Sequence, residues 1–185
     1  MSGADGARWD RRYAEQLPPT VEDVALPSVF RPFAHRFPTA GSALELACGS
    51  GAAAVWLARR GLRVLGCDAS AVAIAQATDL AERCGQAARC RFEVVDLDEG
   101  LPAGEPVDVL LCNKFRDPRL ERPIVERLKN GGLLAISVLS EVGASPGAFR
   151  AKPGELLDAF GALDVFAARE ADGEAWLLAR RTSAG

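Results

Sequence analysis

The chain alternates short apolar runs with helical segments, and this alternation is what most restricts its fold. The strand-like runs are Ala43–Ala47, Arg63–Cys67, Arg91–Val95, Val107–Cys112 and Leu133–Leu139. The helical segments between them are Ala52–Arg60, Ser70–Cys84 and Arg119–Lys129. Ser70 is the expected N-cap of the second segment, and Asn130-Gly131-Gly132 is expected to end the third. Strands that alternate with helices predict a parallel sheet covered by helices on both faces.

The end of the chain follows a different pattern. Pro153–Phe160 is predicted to be a helix, and two strand-like runs follow it, Leu163–Ala168 and Ala175–Arg180. The Asp172-Gly173 pair between these runs is a strong signal for a hairpin turn. We therefore predict an α/β fold, a Rossmann-like doubly wound and mostly parallel sheet that ends in an antiparallel hairpin.

The segment before the first strand, residues 8–40, contains several prolines and aromatic residues. Prolines cut a helix into short pieces, and the aromatic rings need a surface to pack on. We expect this segment to form a helical lid over the sheet, and residues 41–185 to form the Rossmann-like core. The prediction is a single domain over residues 1–185.

Composition restricts the partners and the compartment. The net charge of −3 gives no general attraction to nucleic acid or to anionic membranes. No apolar run approaches the ~20 residues that cross a bilayer, and the first residues lack the apolar core of a signal peptide. The five cysteines form no CxxC pair. We expect a cytoplasmic protein with no membrane, nucleic-acid or obligate protein partner and no metal.

The first candidate site is a glycine-rich turn between a strand and a helix. It contains Glu45, Ala47, Gly49 and Gly51. Glycine lets the backbone turn sharply and approach a ligand, and the free N–H groups at the start of the next helix face that ligand. With Ala54, the spacing also satisfies the dinucleotide-binding fingerprint. The alternative is a tight structural turn that binds nothing.

Two acids follow the next strands. Asp68 ends the second strand. A ribose-binding acid is expected ~20 residues after the glycine turn, and Asp68 lies near that position. Asp96 follows the third strand, where its carboxylate can accept from an adenine amino group while Leu97 packs on the ring. The alternatives are an acid at a helix start for Asp68 and an acidic loop residue for Asp96.

A fourth candidate site follows the buried fourth strand, at Cys112, Asn113, Phe115 and Arg116. Open α/β sheets bind ligands at the carboxyl ends of their strands, so we expect Asn113, Phe115 and Arg116 to contact the substrate. The alternative is a solvated loop with the aromatic ring under a helix. His35 is the only histidine, and a packed or surface position is expected for it.

Taken together, these motifs resemble those of class I S-adenosylmethionine-dependent methyltransferases. The resemblance rests on Leu44-Glu45-Leu46-Ala47-Cys48-Gly49-Ser50-Gly51, on Val95-Asp96-Leu97 and on Leu128-Lys129-Asn130-Gly131-Gly132-Leu133-Leu134. Two further segments are similar to the small tellurite-resistance-type methyltransferases: Trp9-Asp10-Arg11-Arg12-Tyr13 and Phe149-Arg150-Ala151-Lys152-Pro153-Gly154-Glu155-Leu156.

The resemblance implies that S-adenosylmethionine is the cofactor. The residues it places around the cofactor are Trp9, Tyr13, Glu45, Ala47, Gly49, Gly51, Asp68, Ala69, Asp96, Leu97 and Cys112. Glu45 and Gly49 would border the methionine portion, Asp68 would hold the ribose, Ala69 would lie against the adenine, and Trp9 and Tyr13 would close over the ligand. Ala47 stands where a glycine is usual, which is mild if its φ stays negative, and Asn130 stands where a proline is usual.

The activity that follows is methyl transfer to a small-molecule acceptor. No general base stands out and no catalytic residue is assigned, which favours a soft thiol or chalcogen acceptor that arrives ionised. One alternative is a nicotinamide-dependent oxidoreductase, but Glu45 is not part of that fingerprint and the chain has no Tyr-x-x-x-Lys. The other is a module that binds S-adenosylmethionine without catalysis.

Overall fold

The computed structural model describes residues 3–147 and 149–182. The chain forms two compact units, Met1–Gly104 and Glu105–Gly185. Within the described residues, no helix is long and apolar enough to cross a membrane.

The first unit contains three parallel strands in the order β3-β2-β1. The strands are β1 (Ser42–Leu46), β2 (Arg63–Asp68) and β3 (Cys90–Val94), and the helices are α1 (Gly3–Ala14), α2 (Ala52–Arg59) and α3 (Ala71–Arg83). Short 3-10 helices at Val21–Asp23 and Ser28–Arg36 confirm that the prolines divide the N-terminal segment. Because β1 and β2 are parallel and in register, the glycine turn and Asp68 lie at the same edge of the sheet.

Local sequence explains the elements that lead into this edge. Every residue of β1 after Ser42 is buried, as expected of a strand covered on both faces. Ser70 is the N-cap of α3: its Oγ accepts a hydrogen bond from the N–H of Ala73 at 3.1 Å. The cap fixes where α3 begins, and therefore the turn that follows Asp68.

The second unit contains four strands in the order β4-β5-β7-β6. The elements are β4 (Val107–Asn113), α4 (Glu121–Arg127), β5 (Leu128–Leu139), α5 (Glu155–Phe160), β6 (Asp164–Ala171) and β7 (Glu174–Arg180). β4 and β5 are parallel, whereas β7 is antiparallel to both β5 and β6. Asp172 and Gly173 have φ of 55° and 80°, the conformation of a tight hairpin turn. The predicted antiparallel hairpin is confirmed.

One predicted boundary is wrong. Asn130-Gly131-Gly132 does not end a helix, because α4 already ends at Arg127 and these residues lie inside β5. Opposite β4 the ladder pairs Val107 with Leu128 and then Val109 with Leu133, so residues 129–132 bulge out of register. Gly131, at φ 77°, donates its N–H to the Arg181 carbonyl at 2.7 Å, which holds the bulge.

The fold class predicted from the alternation is confirmed in both units. In the first unit β2 pairs in parallel with β1 and with β3, in the second unit β4 pairs in parallel with β5, and the chain finishes with the antiparallel hairpin of β6 and β7. The division into a lid at 8–40 and a core at 41–185 stays a prediction.

Candidate cofactor site

The glycine turn after β1 has an unusual backbone. Ala47, Gly49 and Gly51 all have positive φ, of 49°, 52° and 80°. Two backbone bonds hold the turn: the N–H of Cys48 donates to the carbonyl of Cys67 at 2.9 Å, and that of Gly51 donates to the carbonyl of Cys48 at 3.0 Å. The chain therefore reverses direction within a few residues and enters α2.

Close approach explains why glycine is needed at two of these positions. A Cβ on Gly49 would lie 2.7 Å from the Oη of Tyr13, and one on Gly51 would lie 2.6 Å from the Cβ of Ala77. Both distances are too short for real atoms. The loop is thus packed against α1 on one side and α3 on the other.

Ala47 does not meet the condition under which alanine in place of glycine would be mild. Its φ of 49° places it in the left-handed region and is not negative. The physical reason is that the turn needs a left-handed residue here, as the glycine usual in the resembled family would supply. For an L-residue this conformation costs ~1–2 kcal/mol.

Ala47→Gly should therefore stabilise the protein. Relief of the left-handed strain outweighs the larger backbone entropy that glycine gains in the unfolded chain, roughly 0.5–1 kcal/mol. We expect the free energy of unfolding to rise by up to about 1 kcal/mol in urea titrations. Ala52→Gly, in the first turn of α2, is the matched control and should lower stability. A loss of stability in Ala47→Gly would show that the Ala47 backbone is not strained.

Asp68 joins the glycine turn to the start of α3. Its Oδ2 accepts the N–H of Gly49 at 2.9 Å, and its Oδ1 accepts the N–H of Ser70 at 2.9 Å. Burial raises the pKa of the carboxyl, which is 7% exposed, while these backbone donors act in the opposite direction. A carboxylate has about four lone-pair sites, so two bonds leave acceptor capacity for ligand hydroxyls.

Glu45 is buried beneath the same turn. It is 4% exposed, and burial raises the pKa of its carboxyl to about 8 although the N–H of Ala54 donates to it; the nearby charge of Asp68 raises the pKa further. Its Oε2 has no hydrogen-bond partner within the described residues. An orphaned buried acid suits a ligand that carries positive charge, as the sulfonium and ammonium of S-adenosylmethionine do.

The raised pKa of Glu45 predicts a pH-dependent stability. The folded state keeps a proton that the unfolded state releases near the usual value of 4.5, so this carboxyl contributes most below that pH and its contribution is lost as pH rises toward about 8. Glu45→Gln mimics the protonated form. As pH rises through this window, its free energy of unfolding should increase relative to that of wild type by about a few kcal/mol. Urea unfolding from pH 6 to pH 8.5 measures the difference. Parallel curves for the two proteins would contradict the assignment.

α1 places two aromatic rings near the loop. The ring of Tyr13 packs on Gly49, and burial followed by the nearby charge of Asp68 raises the pKa of its hydroxyl to about 12. The ring of Trp9 lies 6.2 Å from that of Tyr13, with the guanidinium groups of Arg8 and Arg12 at 5.6 and 5.1 Å from its centroid. Tyr13 therefore stays a protonated hydrogen-bond donor at neutral pH, beside the residues predicted to hold the methionine portion.

The residues predicted to contact adenine are Asp96, Leu97 and Ala69. The carboxylate of Asp96 accepts the N–H of Asp98 at 2.9 Å and so caps a short 3-10 helix, while the residue remains half-buried. Leu97 is 1% exposed and belongs to the core, so any contact with adenine would involve its backbone. Ala69 is half-buried after β2. The adenine roles of these residues stay predictions.

In the second unit, the predicted substrate residues form a tight turn after β4. The hydroxyl of Ser137 donates to the Oδ1 of Asn113 at 2.7 Å, and Lys114 has a φ of 57°. Cys112 is buried, and its thiol donates to the carbonyl of Phe115 at 3.3 Å. The cofactor role of Cys112 and the substrate roles of Asn113 and Phe115 stay predictions.

Arg116 is engaged within its own unit. Its guanidinium pairs with Glu121 at 2.8 Å and with Glu155 at 3.1 Å, and only 14% of the side chain is exposed. The arrangement ties the start of α4 to the start of α5. This contact gives Arg116 a structural task that the sequence did not indicate, and its substrate role stays a prediction.

The buried thiols of Cys48 and Cys67 do not offer reactive groups here. Burial raises the pKa of Cys67 to about 12 and that of Cys48 well above its usual value, so both stay protonated at neutral pH. His35 is exposed on the 3-10 helix at Ser28–Arg36.

The sequence missed three residues that contact the site. Asp10, Ser50 and Gln76 form hydrogen bonds that connect α1, α3 and the glycine loop. Asp10 lies inside the Trp9–Tyr13 motif, which was its only signal. Nothing in the sequence marked Gln76.

The comparisons with known proteins agree with this site. Residues 43–132, which include the glycine turn, Asp68 and Asp96, match a family model described as a methyltransferase domain. This match agrees with the resemblance of the sequence motifs to class I S-adenosylmethionine-dependent methyltransferases.

A curated relative is the ribosomal RNA small subunit methyltransferase C of Alcanivorax borkumensis. It is 32% identical over 110 residues, which cover 54% of this chain and 33% of that protein. The chain thus spans about a third of the length of this curated relative.

Solved structures are similar over nearly the whole chain. TehB from Haemophilus influenzae is 18% identical with a TM-score of 0.70, over 96% of this chain and 67% of that one. The magnesium protoporphyrin IX methyltransferase ChlM from Synechocystis PCC 6803, solved with bound SAH, is 16% identical with a TM-score of 0.68, over 97% and 94%. The [4+2]-cyclase SpnF is 18% identical with a TM-score of 0.77, over 98% and 96%. These likenesses confirm the fold.

Proposed function

We propose that this chain binds S-adenosylmethionine at the glycine loop and transfers its methyl group to a small-molecule acceptor. The observation that carries the proposal is the 2.9 Å bond from the N–H of Gly49 to Asp68, which joins the loop and the strand-end acid into one cradle. Glu45 supplies a buried acid with an orphaned oxygen beneath that cradle. The match of residues 43–132 to a methyltransferase domain supports the same cofactor.

The residues of the cradle have distinct tasks in this proposal. When bound, the cofactor supplies a methyl group already activated by a positive sulfur. Asp68 accepts hydrogen bonds from the ribose hydroxyls with its free lone pairs, and Glu45 ionises as the positive ligand arrives. The hydroxyl of Tyr13 donates a hydrogen bond to the bound ligand, and its ring excludes water from the cradle. Alignment of acceptor and methyl group can contribute up to ~7–11 kcal/mol, so the protein needs little further chemistry.

We propose a soft acceptor, a thiolate or an ionised selenium or tellurium species. Such an acceptor forms its bond to the methyl carbon as the carbon–sulfur bond of the cofactor breaks and the electron pair stays on that sulfur. No proton has to be removed, whereas a phenol or an amine needs a base. The raised pKa of Tyr13 and the exposure of His35 leave neither well suited to that task.

The name of the curated relative concerns ribosomal RNA, but we propose a small acceptor for this chain. The net charge of −3 provides no general attraction to a phosphate backbone. We also propose that the reaction takes place in the cytoplasm, without a membrane or an obligate protein partner. The five cysteines are free thiols, which suits a reducing compartment.

A second candidate function follows from the likeness to SpnF. That protein is named as a cyclase, and its TM-score to this chain is 0.77. A shared fold does not fix the chemistry, so a protein with this cradle can bind the cofactor and catalyse no methyl transfer. Formation of S-adenosylhomocysteine that depends on an acceptor distinguishes the two functions.

The test is turnover with methyl-labelled cofactor and a panel of acceptors. We expect label in thiols, selenite or tellurite and much less in phenols, amines or an RNA oligonucleotide. Asp68→Ala is the negative control for the cofactor site, and Asp79→Ala, which removes an exposed acid of α3, is the matched positive control. Methylation of RNA alone would overturn the small-acceptor proposal. Cofactor binding without any methylated product would favour the second function.

A further inference from the structure

Two chains of hydrogen bonds connect α1 to the glycine loop, and both pass through the first turns of α3. We propose that Asp10 is a positioning residue that latches α1 to the start of α3, holds Tyr13 against Gly49 and so sets how slowly S-adenosylhomocysteine leaves. The role in ligand release rests on the proposed function, whereas the latch itself is a property of the chain without ligand.

The first chain of bonds begins at Asp10. Its Oδ1 accepts the hydroxyl of Ser70 at 2.6 Å and the N–H of Val72 at 3.2 Å. Ser70 is fully buried, and its own N–H donates to Asp68. Asp68 in turn accepts the N–H of Gly49. A residue of α1 is therefore connected through Ser70 and Asp68 to Gly49 in the glycine loop.

The second chain of bonds holds the other end of α1. The side-chain amide of Gln76 donates to the carbonyl of Tyr13 at 3.2 Å. The Oε1 of Gln76 accepts the hydroxyl of Ser50 at 2.8 Å, and Ser50 belongs to the glycine loop. Tyr13 is thus held at its own carbonyl by Gln76 and lies one helical turn after the tie at Asp10, with its ring over Gly49.

The Asp10 tie is the stronger of the two. A hydroxyl-to-carboxylate distance of 2.6 Å is that of a charge-assisted bond, and the carboxylate lies at the positive end of a 13-residue helix. Donation by Ser70 and by the backbone of Val72 lowers the pKa of Asp10, so the charged form persists at neutral pH. Packing is also close here, since a Cβ on Gly6 would lie 3.2 Å from the carbonyl oxygen of Ala69.

Hydrogen exchange of the cofactor-free chain tests the latch without any ligand. Asp10→Ala should make the amides of residues 8–14 exchange about tenfold faster, as expected for loss of a hydrogen bond to a charged group. Alanine has a higher helix propensity than aspartate, so a purely local role predicts slower exchange, the opposite sign. Arg11→Ala, at an exposed position of the same helix, is the matched control and should change little. Unchanged or slower exchange in Asp10→Ala would overturn the latch.

The second measurement is the dissociation rate of S-adenosylhomocysteine by stopped-flow displacement. We expect release about tenfold faster from Asp10→Ala, less from Asp10→Asn, which keeps a neutral acceptor, and no change from Arg11→Ala. If wild type does not bind the ligand, the proposed function fails while the exchange result still decides the latch. If wild type binds and Asp10→Ala releases the ligand at the wild-type rate, α1 does not control release and the inference is wrong.

Discussion

Replacement of Asp68 by alanine should weaken the binding of S-adenosylhomocysteine by roughly ten- to a hundredfold. A hydrogen bond to a charged group contributes ~1.5–3 kcal/mol, and each 1.4 kcal/mol is a factor of ten in affinity. The carboxylate is placed to accept from the ribose, and it also orders the loop through the N–H groups of Gly49 and Ser70. Calorimetric titration of the folded variant measures the loss.

The same substitution should cost stability, because it leaves these two buried N–H groups without their acceptor. Each orphaned donor costs ~1–3 kcal/mol, so urea unfolding should register a loss of about 2 kcal/mol or more. Asp68→Asn retains one acceptor oxygen and should fall between alanine and wild type. Asp79→Ala, on the exposed face of α3, should change neither quantity appreciably. Wild-type affinity in a folded Asp68→Ala protein would show that Asp68 is structural only.

Gly51→Ala should have the largest effect on stability among single methyl additions in the loop. The residue has a φ of 80°, which costs an L-residue ~1–2 kcal/mol. The added Cβ would also lie 2.6 Å from the Cβ of Ala77 and 3.1 Å from its Cα, so rotation of a side chain cannot relieve the overlap. Overpacking adds ~1–3 kcal/mol. We expect a total loss of roughly 2–5 kcal/mol and cofactor affinity at least ~tenfold weaker.

Gly85→Ala separates the two causes. Gly85 also has a positive φ, of 66°, but a Cβ there would meet nothing within 4 Å. Its substitution should therefore cost only the ~1–2 kcal/mol of backbone strain and leave cofactor affinity unchanged. Equal losses of stability in the two variants would mean that the contact between the loop and α3 is looser than described.

Elements with a strong local pattern could be predicted from the sequence. Apolar strands, the Ser70 cap and the Asp172-Gly173 turn depend on neighbouring residues, so their signals lie close together in the chain. The bulge in β5 could not be predicted, because it depends on how Leu128 and Leu133 pair with β4. The left-handed Ala47 was missed because alanine gives no signal for a positive φ.

In the candidate site too, some residues could be predicted from the sequence and others could not. The glycine turn, Glu45 and Asp68 follow from strand-end motifs whose spacing is visible in the sequence. The contact between Asp10 and Ser70 joins residues about sixty positions apart, and that between Gln76 and Tyr13 is equally distant. Polar side chains on helix surfaces have many possible partners, so only the folded chain identifies these pairs.

Calorimetric titration of the wild-type chain with S-adenosylhomocysteine, S-adenosylmethionine and NAD tests the central claim most directly. The cradle of Glu45, Gly49 and Asp68 predicts that both methionine-bearing nucleosides bind and that NAD does not. Tight binding of NAD, with no binding of either methionine-bearing nucleoside, would contradict this account.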